Sequence, residues 1–148
     1  MEVKTKEVKT DVKVTVRIKA PAAKVWEALT KPELVKQYLF GTEVISDWKP
    51  GSPIRYRGIW EGKAYEDKGT ILEIEPEKRM VSTYWSSMSG LPDSVENYKT
   101  IRYELFSGDG KTILALTQDN NRTPEEAAHS RRNWAMVLCD LKKIVERE

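Results

Sequence analysis

Residues 123–148 read TPEEAAHSRRNWAMVLCDLKKIVERE, and this stretch decides the fold class. Thr123 offers an N-cap hydroxyl, Pro124 suits the first helical position, where its missing N–H is not needed, and Glu126 stands where it can close a capping box. On a wheel of about 100° per residue, Ala127, Ser130, Leu138, Leu141 and Val145 fall within about 40° of Trp134, with Val137 on one flank. The spacing predicts one helix running almost to Glu148, with a continuous apolar stripe several turns long. Ala127 and Ser130 are small and Trp134 and Leu138 large, so any cavity beneath the stripe is expected nearer its N-terminal turns.

Working back from this helix, the sequence is a run of strands divided by turn chemistry at Lys49-Pro50-Gly51, Glu61-Gly62, Glu75-Pro76-Glu77 and Gly108-Asp109-Gly110. Ile54, Tyr56 and Trp60 share one parity, as do Leu72 and Ile74, then Met80, Ser82 and Tyr84, then Ile101, Tyr103 and Leu105, then Leu114 and Leu116. Five consecutive segments therefore offer a face to a common interior. Between them, Ser86 to Tyr98 follows neither period and reads as a long loop, of the kind that acts as a lid or is simply mobile. Further back, Val12, Val14, Val16 and Ile18 alternate with Lys13, Thr15, Arg17 and Lys19, the pattern of a half-buried strand. Pro21 opens a short helix carrying Val25, Trp26 and Leu29, which Pro32 ends. A second short helix presents Leu34, Val35, Tyr38 and Leu39 up to Gly41. The expected architecture is α+β, of the helix-grip type: a curved antiparallel sheet wrapped around a long C-terminal α-helix, with two short helices after the first strand.

Composition sets the outer limits. A chain of 148 residues is the usual size of one domain and buries roughly 70% of its unfolded surface, so a single domain over 1–148 is expected. Hydrophobic residues at 39% and charged residues at 32% are too apolar for a disordered chain, and no run approaches the roughly 20 apolar residues of a membrane span. Met1 to Thr10 alternates charged and small residues without the apolar stretch of a secretory signal, and a cytoplasmic location is expected. The 25 basic and 23 acidic residues, net +2, are mixed along the chain, which argues against nucleic acid as a partner.

Catalytic and metal chemistry find little material. His129 and Cys139 are each the sole residue of their kind. If both lie on the last helix they stand roughly 15 Å apart along its axis and off the apolar stripe, so they form neither a metal site nor a Cys-His pair. No glycine pattern for a phosphate cradle occurs. Neither a catalytic set, nor a cofactor, nor a metal site is predicted. Glu66 and Asp67 have opposite parity, however, so in a regular strand one of them faces inward as a candidate for proton transfer; a bulge or turn near Gly69 would put both in water.

The aromatic residues are the positive signal, with five Trp and six Tyr. They fill a core, the commonest use of buried rings, or they line a cavity where flat faces and a few hydroxyls hold a small amphipathic molecule. On the second reading Trp60, Tyr84, Tyr103, Trp134 and Leu138 form the wall.

Several blocks also carry a family resemblance: Ile18-Lys19-Ala20-Pro21-Ala22-Ala23-Lys24-Val25-Trp26-Glu27-Ala28-Leu29-Thr30, then Pro32-Glu33-Leu34-Val35-Lys36-Gln37-Tyr38-Leu39-Phe40, then Trp60-Glu61-Gly62-Lys63 leading to Gly69 and Glu75-Pro76, and Asn133-Trp134 through Val137-Leu138 to Leu141-Lys142. With the order strand, two short helices, meander and long helix, the chain resembles the START and birch-pollen-allergen (SRPBCC) superfamily. Within it, the chain is similar to the branch named for homologues of the heat-shock-protein-90 ATPase activator (Aha1-like). The resemblance implies a helix-grip protein, commonly bacterial, whose relatives bind lipids, polyketides or other hydrophobic molecules. It implies no catalytic set, since no motif of the cyclase and aromatase branches matches here. The co-chaperones that name the branch carry a separate N-terminal domain for which this sequence has no room. Three functions follow as expectations: binding of a small hydrophobic or amphipathic ligand between sheet and helix, cyclase-like enzymatic use of the same cavity, or interaction with a chaperone or its client through the outer surface.

Overall fold

Alternation of β-branched and charged residues gives β1 (Thr10–Ile18), the first element of a computed structural model that describes residues 10–147. Two short helices follow, α1 (Ala22–Thr30) and α2 (Pro32–Tyr38), then β2 (Glu43–Ser46), β3 (Pro53–Trp60), β4 (Lys63–Glu75), β5 (Arg79–Tyr84), β6 (Lys99–Gly108), β7 (Lys111–Asn121) and α3 (Pro124–Glu146). Pro21 caps α1 from outside, and Pro32 opens α2 with its missing donor where none is needed. The seven strands form one antiparallel sheet in the order β1-β7-β6-β5-β4-β3-β2. This is the α+β helix-grip architecture expected from the sequence.

Tight turns set the register of the meander. Gly108 pairs with Lys111 across Asp109-Gly110, whose φ angles of 54° and 74° are those of a two-residue turn that matches the twist of the flanking strands. Trp60 pairs with Lys63 in the same manner. Between β4 and β5 the backbones come close: a Cβ at Gly69 would stand 1.7 Å from the Thr83 carbonyl oxygen, so no side chain fits there.

Leu72 was expected inward with Ile74, but the ladder between β4 and β5 shifts between Ile71 and Glu73. The extra residue of this bulge turns Leu72 outward, 49% exposed, and puts Ile71 in the core at 0%.

The long helix starts as its sequence requires. Thr123 Oγ1 accepts the Glu126 N–H at 3.0 Å, while the Glu126 carboxylate reaches back to the Arg122 N–H at 3.0 Å and to Lys99 Nζ at 2.7 Å. The capping box thus closes one residue early, and its glutamate also ties α3 to β6. From there α3 lies chiefly along β1, with α2 as its next neighbour. Ala127, Val137, Leu138, Leu141 and Val145 are its buried residues, and the last four meet Ile18, Leu105, Leu114 and Leu116 in one apolar cluster. His129 and Cys139 are exposed on the same helix.

Candidate functional site

The inner face of the sheet changes character between its two ends. Towards β1 and β7 it is aliphatic and covered. Across β3 to β6 it carries Tyr56, Asp67, Tyr84 and Tyr103, with Tyr38 of α2 and Trp134 of α3 packed against the same core. Parity puts Tyr56 beside Ile54 and Tyr103 beside Ile101 and Leu105, on the core side of their strands. Tyr56 and Asp67 are direct cross-strand partners, so they share a face.

Asp67 is the inward member of the Glu66-Asp67 pair. It is 8% exposed, accepting the Tyr84 hydroxyl on Oδ2 at 2.7 Å and the Ser87 backbone N–H on Oδ1 at 3.1 Å. Both oxygens receive donors. Glu66 points the other way, to Arg55 at 3.2 Å and Arg57 at 3.4 Å. Hydrogen bonding to Arg55 and the charge and hydrogen bond of Arg57 outweigh its desolvation and hold the Glu66 carboxyl below its usual range.

The rings meet edge to face. Tyr56 and Tyr84 have centroids 5.8 Å apart at 68°, and Tyr103 and Trp134 are 6.4 Å apart at 88°. Burial is the first cause that raises the Tyr56, Tyr84 and Tyr103 phenols, followed by Asp67 for the first two and by Tyr56 for Tyr103. Burial likewise raises Tyr38, with Tyr103 and Tyr56 adding to it. All four phenols stay neutral at physiological pH. The Tyr38 hydroxyl donates to the Ala28 carbonyl at 2.7 Å and Tyr84 to Asp67. The Tyr56 and Tyr103 hydroxyls make no hydrogen bond to the described residues, and neither is among the buried polar atoms left without a partner, so both reach solvent.

Trp134 is fixed by an amide network. Its Nε1 donates to Gln118 Oε1 at 2.7 Å, and Gln118 Nε2 donates to Ser130 Oγ at 2.9 Å and Asn121 Oδ1 at 3.3 Å. Gln118 is 6% exposed and Asn121 1%, so each amide is satisfied where water is excluded.

The five residues expected to form a cavity wall are placed differently from one another. Tyr103 and Trp134 are in contact, and Tyr84 meets Tyr56 in a separate ring pair. Leu138 lies one turn beyond Trp134, 1% exposed within the aliphatic core. Trp60 stands at the end of β3, 49% exposed, against Phe40 at 6.2 Å. Tyr56, Asp67 and Gln118 were not among the five. Tyr56 carried a signal in its parity with Ile54, and Asp67 in its opposition to Glu66; nothing in the sequence paired Gln118 with Trp134.

On the opposite face a second cluster anchors the 86–98 loop. Lys68 pairs with Asp93 at 2.6 Å and lies 5.8 Å from the Trp85 ring, which stacks on Tyr98 at 6.4 Å and 27°. Tyr98 donates to Asp93 at 2.6 Å; burial first, then that carboxylate, push its phenol up to about 12. A 3₁₀ turn at Val95–Asn97 completes the loop. Two surface hollows of about 390 and 420 Å³ also occur, one around Pro76, Arg79 and Phe106 and one around Asp11, Tyr98 and Asn120. Neither includes any of the inner aromatic residues. Among the described residues no group of histidine, cysteine and carboxylate side chains is placed to hold a metal, and no helix is long and apolar enough to cross a membrane.

The curved sheet, the two short helices and the long helix across its inner face define an SRPBCC-type helix-grip protein. Residues 19–146 match the family described as Activator of Hsp90 ATPase homolog 1-like protein, and the chain belongs to that family. Among solved structures it is similar to ChR145 from Cytophaga hutchinsonii, at 46% identity over 96% of this chain and 97% of that one, with a TM-score of 0.84. The Aha1 dimer from Colwellia psychrerythraea shares the fold at 22% identity, covering 93% and 96% of the two chains, with a TM-score of 0.73. CalU16 from Micromonospora echinospora does so at 20% identity, covering 93% and 76%, with a TM-score of 0.74. No curated protein matches the sequence.

Proposed function

We propose that the protein binds a small hydrophobic or amphipathic molecule, an aromatic, polyketide-like or lipid compound, between the β3–β6 part of the sheet and α3. One observation carries this reading. Tyr56, Tyr84, Tyr103 and Trp134 all retain accessible surface, although the three tyrosines sit deep enough for burial to dominate the state of their phenols. On this reading the partly covered rings border a recess, and a recess of flat apolar faces with a few oriented polar groups suits such a ligand. Tyr84, Tyr103 and Trp134 form its wall with Tyr56, and Leu138 backs it from the core. Trp60 and Phe40 stand at the rim. No cofactor takes part, and a cytoplasmic setting fits the free thiol of Cys139.

The test is titration of the purified protein with fatty acids, sterols, flavonoids and polyketide-like aromatics, followed by tryptophan fluorescence and amide NMR. Saturable shifts are expected at Tyr56, Tyr84, Tyr103 and Trp134. A well-dispersed spectrum that responds to none of these compounds would overturn the reading and favour recognition of a protein partner, such as a chaperone, by the outer surface.

The inward carboxylate favours a second reading, a cyclase-like enzyme. Asp67 and the Tyr84 hydroxyl at 2.7 Å supply a base and a proton donor beside apolar walls. On this reading Asp67→Asn abolishes turnover of a cyclising polyketide-like substrate while ligand affinity persists; equal turnover in both proteins would dismiss it.

A further inference from the structure

The charges around the recess are one-sided. Asp67 is the only charged side chain in the buried set among the described residues. The cations on the strands that surround it are directed elsewhere. Arg55, Arg57, Lys68, Arg79 and Arg102 have the parity opposite to Tyr56, Asp67, Tyr84 and Tyr103. Arg55 and Arg57 hold Glu66, Lys68 holds Asp93, and Arg79 holds Glu75 at 3.3 Å. Two lysines share the inner parity. Lys63 is exposed at the β3–β4 turn, and Lys99 is engaged by Glu126 Oε2 at 2.7 Å and the Asn120 carbonyl at 2.9 Å.

A carboxylate brought into this recess would lose its water, meet on the inner strand faces no cation but Lys63 at the turn and the engaged Lys99, and face Asp67, whose own donors come from Tyr84 and Ser87. Like charges in a poorly hydrated site repel strongly, and an unpaired buried anion is costly. A neutral pole meets the opposite situation. The Tyr56 and Tyr103 hydroxyls, without partners among the described residues, each donate and accept, and Asp67 accepts from a hydroxyl or an ammonium.

We infer that the recess selects by charge: it takes aromatic molecules whose polar pole is an uncharged hydroxyl or carbonyl, or a cation, and excludes carboxylate-headed ligands such as fatty acids. This inference rests on the ligand-binding reading above and narrows it to a ligand class.

The experiment compares three naphthalenes substituted at one ring position with a hydroxyl, a carboxylate or an aminomethyl group, each titrated into the intact protein at neutral pH by calorimetry and amide NMR. Naphthol and the aminomethyl cation are expected to bind on the order of tenfold or more tightly than naphthoate, with shifts at Tyr56, Tyr84 and Tyr103. In Asp67→Asn, which keeps an acceptor for Tyr84, the gap between naphthol and naphthoate narrows several-fold. Naphthoate binding as tightly as naphthol to the unaltered protein, or a gap unchanged in Asp67→Asn, overturns the charge selection and leaves the ligand-binding reading intact. If no naphthalene and no compound of the wider panel binds, both fall together.

Discussion

The two ends of the inner sheet face use the same backbone to opposite ends. At the β1–β7 end, Ile18, Leu114, Leu116, Leu138 and Leu141 are at most 1% exposed, and each apolar group lost there leaves a hole that the close-packed surroundings cannot fill. At the β3–β5 end, Tyr56 and Tyr84 are only partly covered and stand over a buried carboxylate. The first region is filled by side chains of the right volume. The second holds polar groups that are costly to bury unless paired, and the Tyr56 and Tyr103 hydroxyls, without a protein partner among the described residues, keep access to solvent.

The sharpest contrast in stability comes from Leu141→Ala. Leu141 is 0% exposed, so truncation is expected to cost about 2–5 kcal/mol in urea unfolding. A loss under about 1 kcal/mol would mean that the aliphatic half is loosely packed and that the two regions do not differ.

A smaller effect is expected from Asp67→Ala. It removes the acceptor of the Tyr84 hydroxyl and of the Ser87 N–H, leaving two donors in a partly buried place, for a loss of about 1–3 kcal/mol. The same change unties the root of the 86–98 loop, so faster amide exchange at Ser87 should accompany it, while Asp93 and Tyr98 keep their bonds at the far end. Unchanged exchange at Ser87 would show that the loop is held without Asp67.

A smaller effect again is expected at Trp134, where the two regions meet. Trp134→Phe keeps a ring for Tyr103 but removes the N–H that Gln118 Oε1 accepts at 2.7 Å. The expected loss is about 1–2 kcal/mol, with amide shifts at Gln118, Asn121 and Ser130. Shifts confined to Trp134 and Tyr103 would dissolve the proposed link between the amide network and the rings.

How far these regions could be read in the sequence follows the range of the interactions. Helix α3 was legible from its cap and stripe, because both lie within the segment itself, and the strands β3 to β7 were legible from alternation and turn residues. Alternation fails where the ladder slips: Leu72 has the parity of Ile74, and only the pairing of β4 with β5 shows the bulge that turns it out. Parity also says nothing of where a sheet stops covering its own face. Trp60 follows the period of Ile54 and Tyr56 but closes β3, where little lies above it. The Glu66-Asp67 alternative needed the β3–β4 register, and Gln118 with Trp134 needed α3 folded back over β7; both are contacts between segments that one local window does not contain.

The smallest expected change in stability tests the comparison most directly. In Tyr56→Phe, Tyr103→Phe and the double variant, the rings and their packing stay and only hydroxyls leave. Where a hydroxyl has no partner, its loss removes no hydrogen bond from the folded state, and stability should move by less than about 0.5 kcal/mol per site. Affinity for naphthol should move instead, by roughly tenfold in the double variant, since a bound polar pole loses the two groups free to meet it. The two readouts separate the regions without disturbing either. A stability loss above about 1 kcal/mol per site with unchanged naphthol affinity would mean that these hydroxyls serve the packing of the chain, and the β3–β6 face would then be a second core.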